Sequence, residues 1–294
     1  MKRTPAMAVL DPSELEDVIR RALAEDLGEA GDVTSRHIVR TDQPGRARIV
    51  AKSGGVLAGV PVADQVFRTV DRGLQVGWRA SDGDELTPGL VVAEIEGRAR
   101  AILAAERVSL NFLQHLAGVA TLTAAYVARC APYRVRVLCT RKTLPGLRSL
   151  QRYAVLVGGG SLHRAGLFDA ILVKTNHQRL SAGVAEAVRR ARGQPQLEVE
   201  VEVTNLEELE QAIGAGAQRV LLDNARLDLI AEAVERARGR VFLEVSGGID
   251  LEGAEAIARL GPDAISVGRI THSAPAVDFS LQVLGPPGAA PRTS

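Results

Sequence analysis

From residue 135 onward, short strand-like apolar runs alternate with helical patterns, and this alternation constrains the fold more than any other feature. The runs are VRVL (135–138), AILVK (170–174), LEVEVEV (197–203), RVLLD (219–223), VFLEV (241–245) and AISVG (264–268). Helical apolar spacing occupies residues 145–154, 182–192, 206–213, 227–237 and 251–260. Strand and helix in alternation mean parallel βα units, because a parallel neighbour is reached only by a crossover. Six such runs predict a barrel short of eight strands, with an open doubly wound sheet as the alternative.

The first hundred residues have a different texture. Residues 13–26 predict an amphipathic helix, with Ser13 as its cap and Glu16 completing a capping box. Residues 45–96 alternate short apolar runs with turns such as Asp82-Gly83 and Pro88-Gly89, interrupted by one helix near Val62–Val70. Together these make a small α+β unit. Residues 101–128 read as one long helix, with Arg107, Asn111 and His115 on one face and Leu103, Leu110, Leu113 and Leu116 toward a core. The tail from Gly285 to Ser294 is rich in Pro and Gly and is expected to fray.

Composition removes several function classes. Thirty-six Lys and Arg against 35 Asp and Glu leave a net charge of +1, and aromatics are 3% of the chain. Neither a basic field nor stacking platforms for nucleic acid are present. Two cysteines, Cys130 and Cys139, cannot make a disulfide framework or a four-cysteine zinc site. The apolar stretch near the N-terminus is too short for a signal peptide. Residues 108–128 carry no charge and are long enough to span a bilayer. Ser109, Asn111, Gln114, His115 and two threonines within them fit a buried helix better. The chain reads as cytoplasmic, with no membrane partner.

In parallel α/β folds chemistry collects at the C-terminal ends of strands. Here VRVL runs into Cys139-Thr140-Arg141-Lys142, and His163-Arg164 precede AILVK, which ends in Lys174. RVLLD ends in Asp223-Asn224, VFLEV leads to Ser246-Gly247-Gly248, and AISV to Gly268. Glu198, Glu200 and Glu202 share one face of their strand, either a site face or the solvent face of an edge strand. Arg141, Lys142, His163, Arg164 and Lys174 around one rim, with carboxylates opposite, point to a polyanionic ligand. The glycines of SGGI, ahead of a helix from Leu251, would free backbone amides for a phosphate. No Walker A loop, dinucleotide fingerprint or zinc spacing occurs, so no organic cofactor is implied.

At these residues the chain resembles the quinolinate phosphoribosyltransferase family, the decarboxylating nicotinate-nucleotide pyrophosphorylases of NAD biosynthesis. The resemblance runs from about Leu23 to Leu281. It rests on EDLGEAGDVTS (25–35), AERVSLNFLQHLAG (105–118), TRKTLPGLRSLQRYAVLVGGG (140–160), HRAGLFDAILVK (163–174), NH (176–177), LLDN (221–224), SGGI (246–249) and THS (271–273). It implies an α/β fold: an N-terminal α/β sandwich domain, residues 1–115, and an incomplete parallel α/β barrel, residues 116–275, with a segment near 276–290 packing back on the first. It implies quinolinate and phosphoribosyl pyrophosphate as substrates, Mg²⁺, and a homodimer with shared active sites, to which Arg107 reaches from the partner. Arg141, His163, Arg164 and Lys174 would line the quinolinate pocket, with Thr140 beside them and Lys142 toward phosphate. Glu202 and Asp223 would face the ribose and the metal. Ser246, Gly247 and Gly248, with the turn Ser266, Val267 and Gly268, would hold the 5′-phosphate.

Four positions depart from the family pattern: Cys139, Leu162, Thr175 and Val245, where Asp, Asn, an acidic residue and Ser are usual. They put the surroundings of the site in question and make a diverged paralogue of the molybdenum-uptake-associated type the nearest rival. A Schiff-base lyase using Lys174 is a second rival. A biotinyl-type carrier, suggested by DGDELTPG, needs a modifiable lysine, and residues 55–97 contain none. The implied reaction has the pyridine nitrogen displace pyrophosphate at the anomeric carbon through an oxocarbenium-like transition state, which Glu202 or Asp223 would stabilise. The resulting pyridinium accepts the electrons as CO2 leaves.

Overall fold

The computed structural model describes residues 10–284; the tail from Gly285 and the segment Met1–Val9 lie outside them. In chain order the elements are α1 (Pro12–Leu27), α2 (Val33–Ile38), β1 (Pro44–Ala51), β2 (Gly55–Val56), α3 (Val60–Val70), β3 (Gln75–Trp78), β4 (Glu85–Leu86), β5 (Val91–Arg98) and α4 (Ala99–Cys130). Then follow β6 (Arg136–Leu138), α5 (Arg148–Val157), β7 (Ile171–Val173), α6 (Thr175–Leu180), α7 (Val184–Ala191), β8 (Val199–Val203), α8 (Leu206–Gly214), β9 (Arg219–Asp223) and α9 (Leu227–Ala237). The last are β10 (Phe242–Ser246), α10 (Leu251–Leu260), β11 (Ala264–Ser266), α11 (Arg269–His272) and β12 (Phe279–Leu284). The chain divides into two compact units: Met1–Leu122 with Leu144–Gly158 and Ala274–Ser294, and Thr123–Thr143 with Gly159–Ser273.

In the first unit β12, β1, β5 and β3 form an antiparallel sheet in that order. Ala47 and Ile49 of β1 stand opposite Ile95 and Ala93 of β5, all buried, so one face of the sheet is apolar. Helix α1 is capped by Asp11, whose carboxylate accepts from the amides of Ser13 (2.8 Å) and Glu14 (3.1 Å). Pro12 opens the helix where no amide donor is needed, so Ser13 already lies inside it and the expected Ser13–Glu16 box does not form. The helix buries Val18, Ile19 and Leu23. Helix α5 begins at Arg148, later than expected, because Gly146 turns the chain at φ +76°. Its Tyr153 hydroxyl donates to Asp82, whose carboxyl burial holds above the usual carboxylate range. A Cβ on Gly118 would lie 2.2 Å from the carbonyl oxygen of Pro275, so the stretch leading into β12 packs on α4 only because that position is glycine.

The second unit holds six parallel strands in the order β6-β11-β10-β9-β8-β7. Taken as a ring, this is chain order with one seam, between β6 and β7. The last strand pairs with the first, as in a barrel, and no switch in winding direction occurs as a doubly wound sheet requires. Ser161 bridges to Leu138 on the seam side of β6. Register stacks the inward side chains in layers: Arg219 stands opposite Glu200 and Phe242, Leu221 opposite Glu202 and Glu244, and Asp223 opposite Ser246. β8 is therefore an interior strand, and its glutamates Glu200 and Glu202 face the barrel, not solvent. The helical pattern at 182–192 resolves into α7, preceded by the separate α6. Helices α8, α9 and α10 each bury one apolar stripe, for example Ile230, Ala233, Val234 and Ala237 on α9. Among the described residues no helix is long and apolar enough to cross a membrane, α4 included.

Candidate active site

A cavity of about 430 Å³ opens at the C-terminal ends of the barrel strands. Thr140, Arg141 and Lys142 reach it from beyond β6, His163 and Arg164 from the stretch along the seam, and Lys174 from the end of β7. Glu202, Asp223, Ser246 and Ser266 complete the upper layer, with Gly247 and Gly248 beside them, and Leu172, Leu221 and Glu244 form the floor. All the candidate residues of the second unit meet here except Val267 and Gly268. Val267 is buried with its amide given to Leu138, and Gly268 instead lets Lys142 pass, since a Cβ there would lie 3.0 Å from Lys142 Cδ. Arg107 lies on α4 in the first unit and is exposed. It is not a buried cation and needs no anion within its own chain.

Local structure sets each group. Glu202 Oε1 accepts from the Thr175 hydroxyl (2.7 Å) and amide (3.3 Å), while Oε2 pairs with Lys174 Nζ at 3.3 Å. Burial opposes ionisation of Glu202, but the Thr175 hydroxyl and the Lys174 charge outweigh it and hold its pKa low. The departure at Thr175 is thus a working contact. Cys139 and Val245 are buried, so those two departures sit in the barrel wall. His177 Nδ1 accepts the Lys174 amide at 2.9 Å and fixes the backbone from which that lysine projects. Asn224, with left-handed φ of +53°, donates from Nδ2 to Asp223 Oδ2 at 2.8 Å. A Cβ on Gly247 would lie 2.3 Å from Asn224 Oδ1. The α10 N-terminus is already served by Asp250, which accepts from Gly253, so an anion here would meet the Gly247-Gly248 amides and not the helix end.

Below this layer lies a buried ionic group that sequence reasoning missed. His163 Nε2 is 2.9 Å from Glu200 and 3.6 Å from Glu244. Arg219 Nη2 is 2.9 Å from Glu244, and its Nε is 3.5 Å from Glu200. Phe242 lies between Arg219 and Arg136, whose guanidinium carbons are 4.2 and 4.6 Å from the ring centroid. Burial, then the Glu200 charge, push the Glu244 pKa up to about 7. Burial disfavours the charged form of His163, but the Glu200 hydrogen bond and both carboxylates raise it overall. Arg164 is shifted down by burial and by Arg141 beside it. His163, Glu200 and Glu244 could surround an ion, with ligand atoms within 4.8 Å of one another, but Arg219 already neutralises that pair of carboxylates. The signal in the sequence was a glutamate inside the apolar run VFLEV.

A second cavity, of about 470 Å³, lies on the first unit and is lined by Arg21, Glu25, Asn111 and His115 among others. His115 Nε2 is 3.0 Å from Gln151 Nε2, and burial lowers its pKa. No comparable convergence of cations occurs there.

A barrel mouth that sets permanent cations against two carboxylates and a glycine turn defines an enzyme class for polyanionic substrates. Within that class the chain belongs to the quinolinate phosphoribosyl transferase family, whose N-terminal domain model matches residues 32–117 and whose C-terminal domain model matches residues 119–282. It is 39% identical over 272 residues to the probable nicotinate-nucleotide pyrophosphorylase of Bacillus subtilis, covering 92% of this chain and 93% of that protein. It is 39% identical over 302 residues to the chloroplastic nicotinate-nucleotide pyrophosphorylase of Arabidopsis thaliana, covering 95% and 86%. The solved nicotinate-nucleotide pyrophosphorylase of Francisella tularensis superposes with a TM-score of 0.90 at 43% identity, covering 94% and 98%.

Proposed function

We propose that this chain transfers the phosphoribosyl group of phosphoribosyl pyrophosphate to quinolinate, with loss of CO2, giving nicotinate mononucleotide and pyrophosphate. The observation that carries the reading is one pocket holding Arg141, Lys142, Arg164 and Lys174 within a chain matched by both family models. Arg141, Arg164 and Lys174 hold the two carboxylates, the arginines through bidentate contacts that fix the ring plane. Lys142 and the Gly247-Gly248 amides take phosphate. Glu202 and Asp223, on adjacent strands, place negative charge beside the anomeric carbon as it turns cationic. The ring nitrogen attacks that carbon, pyrophosphate leaves, and the pyridinium draws the electron pair of the carbon–carboxylate bond as CO2 departs.

Glu202 and Asp223 are hard oxygen donors and suit a magnesium ion that shares its remaining positions with substrate oxygens. Bound there, the ion would neutralise charge on the leaving pyrophosphate. The 3.3 Å ion pair with Glu202 occupies the Lys174 nitrogen that a Schiff-base enzyme would need free to attack a carbonyl. The exposed Arg107 is proposed to enter the pocket of a second copy, giving a homodimer with shared sites.

The test is an assay of the purified protein with quinolinate, phosphoribosyl pyrophosphate and Mg²⁺, following nicotinate mononucleotide. Nicotinate in place of quinolinate is expected to give little product, because its missing carboxylate leaves pocket cations unpaired. Equal rates with both would overturn the decarboxylating assignment.

A further inference from the structure

We propose that Thr175 is a positioning residue that holds Glu202 in place while Lys174 changes partner, from Glu202 to a carboxylate of the substrate. The inference rests on the functional reading above, in which Lys174 takes a quinolinate carboxylate and Glu202 faces the anomeric carbon.

The two residues that touch the Glu202 carboxylate are consecutive, yet they hold it differently. Lys174 Nζ is 3.3 Å from Oε2, and its side chain is half exposed, so it can swing to an incoming anion. Thr175 holds Oε1 twice, from its hydroxyl at 2.7 Å and from its amide at 3.3 Å. The turn that carries both residues is itself fixed. The buried Gln178 donates from Nε2 to the Glu202 carbonyl oxygen at 2.5 Å, and the Lys174 amide donates to His177 Nδ1 at 2.9 Å. The start of α6 is thereby locked to the end of β8, and the Lys174 side chain alone is left loose.

That division has a consequence for the reaction. An ammonium drawn to a quinolinate carboxylate leaves Oε2, which has no other hydrogen-bond partner among the described residues. Oε2 then turns its charge unshared toward the pocket that Glu202 lines, where the sugar carbon becomes cationic. A glutamate side chain has several torsions to explore, and one tethered only through an amide at 3.3 Å would follow the departing ammonium. The short, charge-assisted hydroxyl contact keeps it at the pocket edge. Thr175 does not itself line the cavity, so it acts through Glu202.

The test is Thr175→Val, which keeps the shape and the backbone amide but removes the hydroxyl, with Thr175→Ala as a second variant lacking it. Pyrophosphate release is followed in single turnovers at saturating quinolinate, phosphoribosyl pyrophosphate and Mg²⁺. Quinolinate binding is measured separately by calorimetry, without the second substrate or metal. Pyrophosphate release is expected to slow at least about tenfold in both variants, as for loss of a hydrogen bond to a charged group. The quinolinate Kd is expected to stay within about threefold of wild type, because Lys174 is untouched. Thr175→Ser, which restores the hydroxyl, is expected to return the rate to within about threefold of wild type. A wild-type rate in Thr175→Val, a Ser variant as slow as the Val variant, or a quinolinate affinity that falls as far as the rate would each overturn the assignment. If the wild type itself releases no pyrophosphate from these substrates, the functional reading fails instead.

Discussion

Arg219→Met removes the counter-charge of the barrel floor while leaving a side chain of similar length. Arg219 sits 2.9 Å from Glu244, which is fully buried, and 3.5 Å from Glu200, which is nearly so. Its third contact, Glu198 at 3.6 Å, is half exposed and contributes little. Removing one partner of a buried pair costs about 3–5 kcal/mol, because the other charge stays behind. The lost cation–π contact with Phe242 adds about 0.5–1 kcal/mol, part of which methionine sulfur against the ring returns. The loss depends on pH in a defined direction. The folded pKa of Glu244, about 7, lies above the ordinary 4.5, so its contribution to stability is complete below 4.5 and fades as pH rises through 7. Without Arg219 the folded value climbs further. From near pH 6, where Glu244 is protonated in both proteins, to near pH 8 the deficit of the variant therefore grows, by at most about 1.4 kcal/mol, the equivalent of one pKa unit. Urea unfolding at both pH values, followed by circular dichroism, measures it. A deficit below about 1 kcal/mol at the higher pH, or the same deficit at both, would refute the account of the buried pair.

Lys174→Ala is expected to cost roughly 2–5 kcal/mol in kcat/KM for quinolinate, and borohydride with a carbonyl substrate should leave the wild type active; covalent trapping at Lys174 would favour a lyase. Gly247→Ala should raise the KM for phosphoribosyl pyrophosphate, since φ of +103° costs about 1–2 kcal/mol for alanine and its Cβ pushes Asn224 away from Asp223; an unchanged KM removes that turn from the site. Mixing Arg107→Ala with Lys174→Ala after reversible dissociation should return up to roughly a quarter of wild-type activity, because half of randomly paired dimers regain one intact pocket. Heterodimers confirmed by mass without recovered activity would place Arg107 outside the partner's site.

The barrel was legible because period and alternation are local properties. Apolar runs such as RVLLD and VFLEV, each followed by an amphipathic stretch, leave little choice but parallel units. The rim was legible too, since Arg141, Lys174 and Asp223 stand at predicted strand ends. The floor was not. A period of two shows that Glu200 and Glu202 share a face, but whether that face meets water depends on which strands flank β8. His163, Glu200, Arg219 and Glu244 come from four separate stretches, and only register brings them together. Asp11 was overlooked as a cap because Pro12 hid the helix start.

The pairing of β1 with β12 sets a timetable for synthesis. Ala47 meets Val283 and Ile49 meets Leu281, so a strand made early waits for one synthesised after the whole barrel. Until then β1 offers an open edge, the feature through which nascent chains stick to one another. The barrel strands β6–β11 have all emerged before that edge can be covered. A chain shortened before Phe279 would keep every barrel strand and still leave β1 open on the side away from β5, so the loss of β12 would be felt at a strand made long before it.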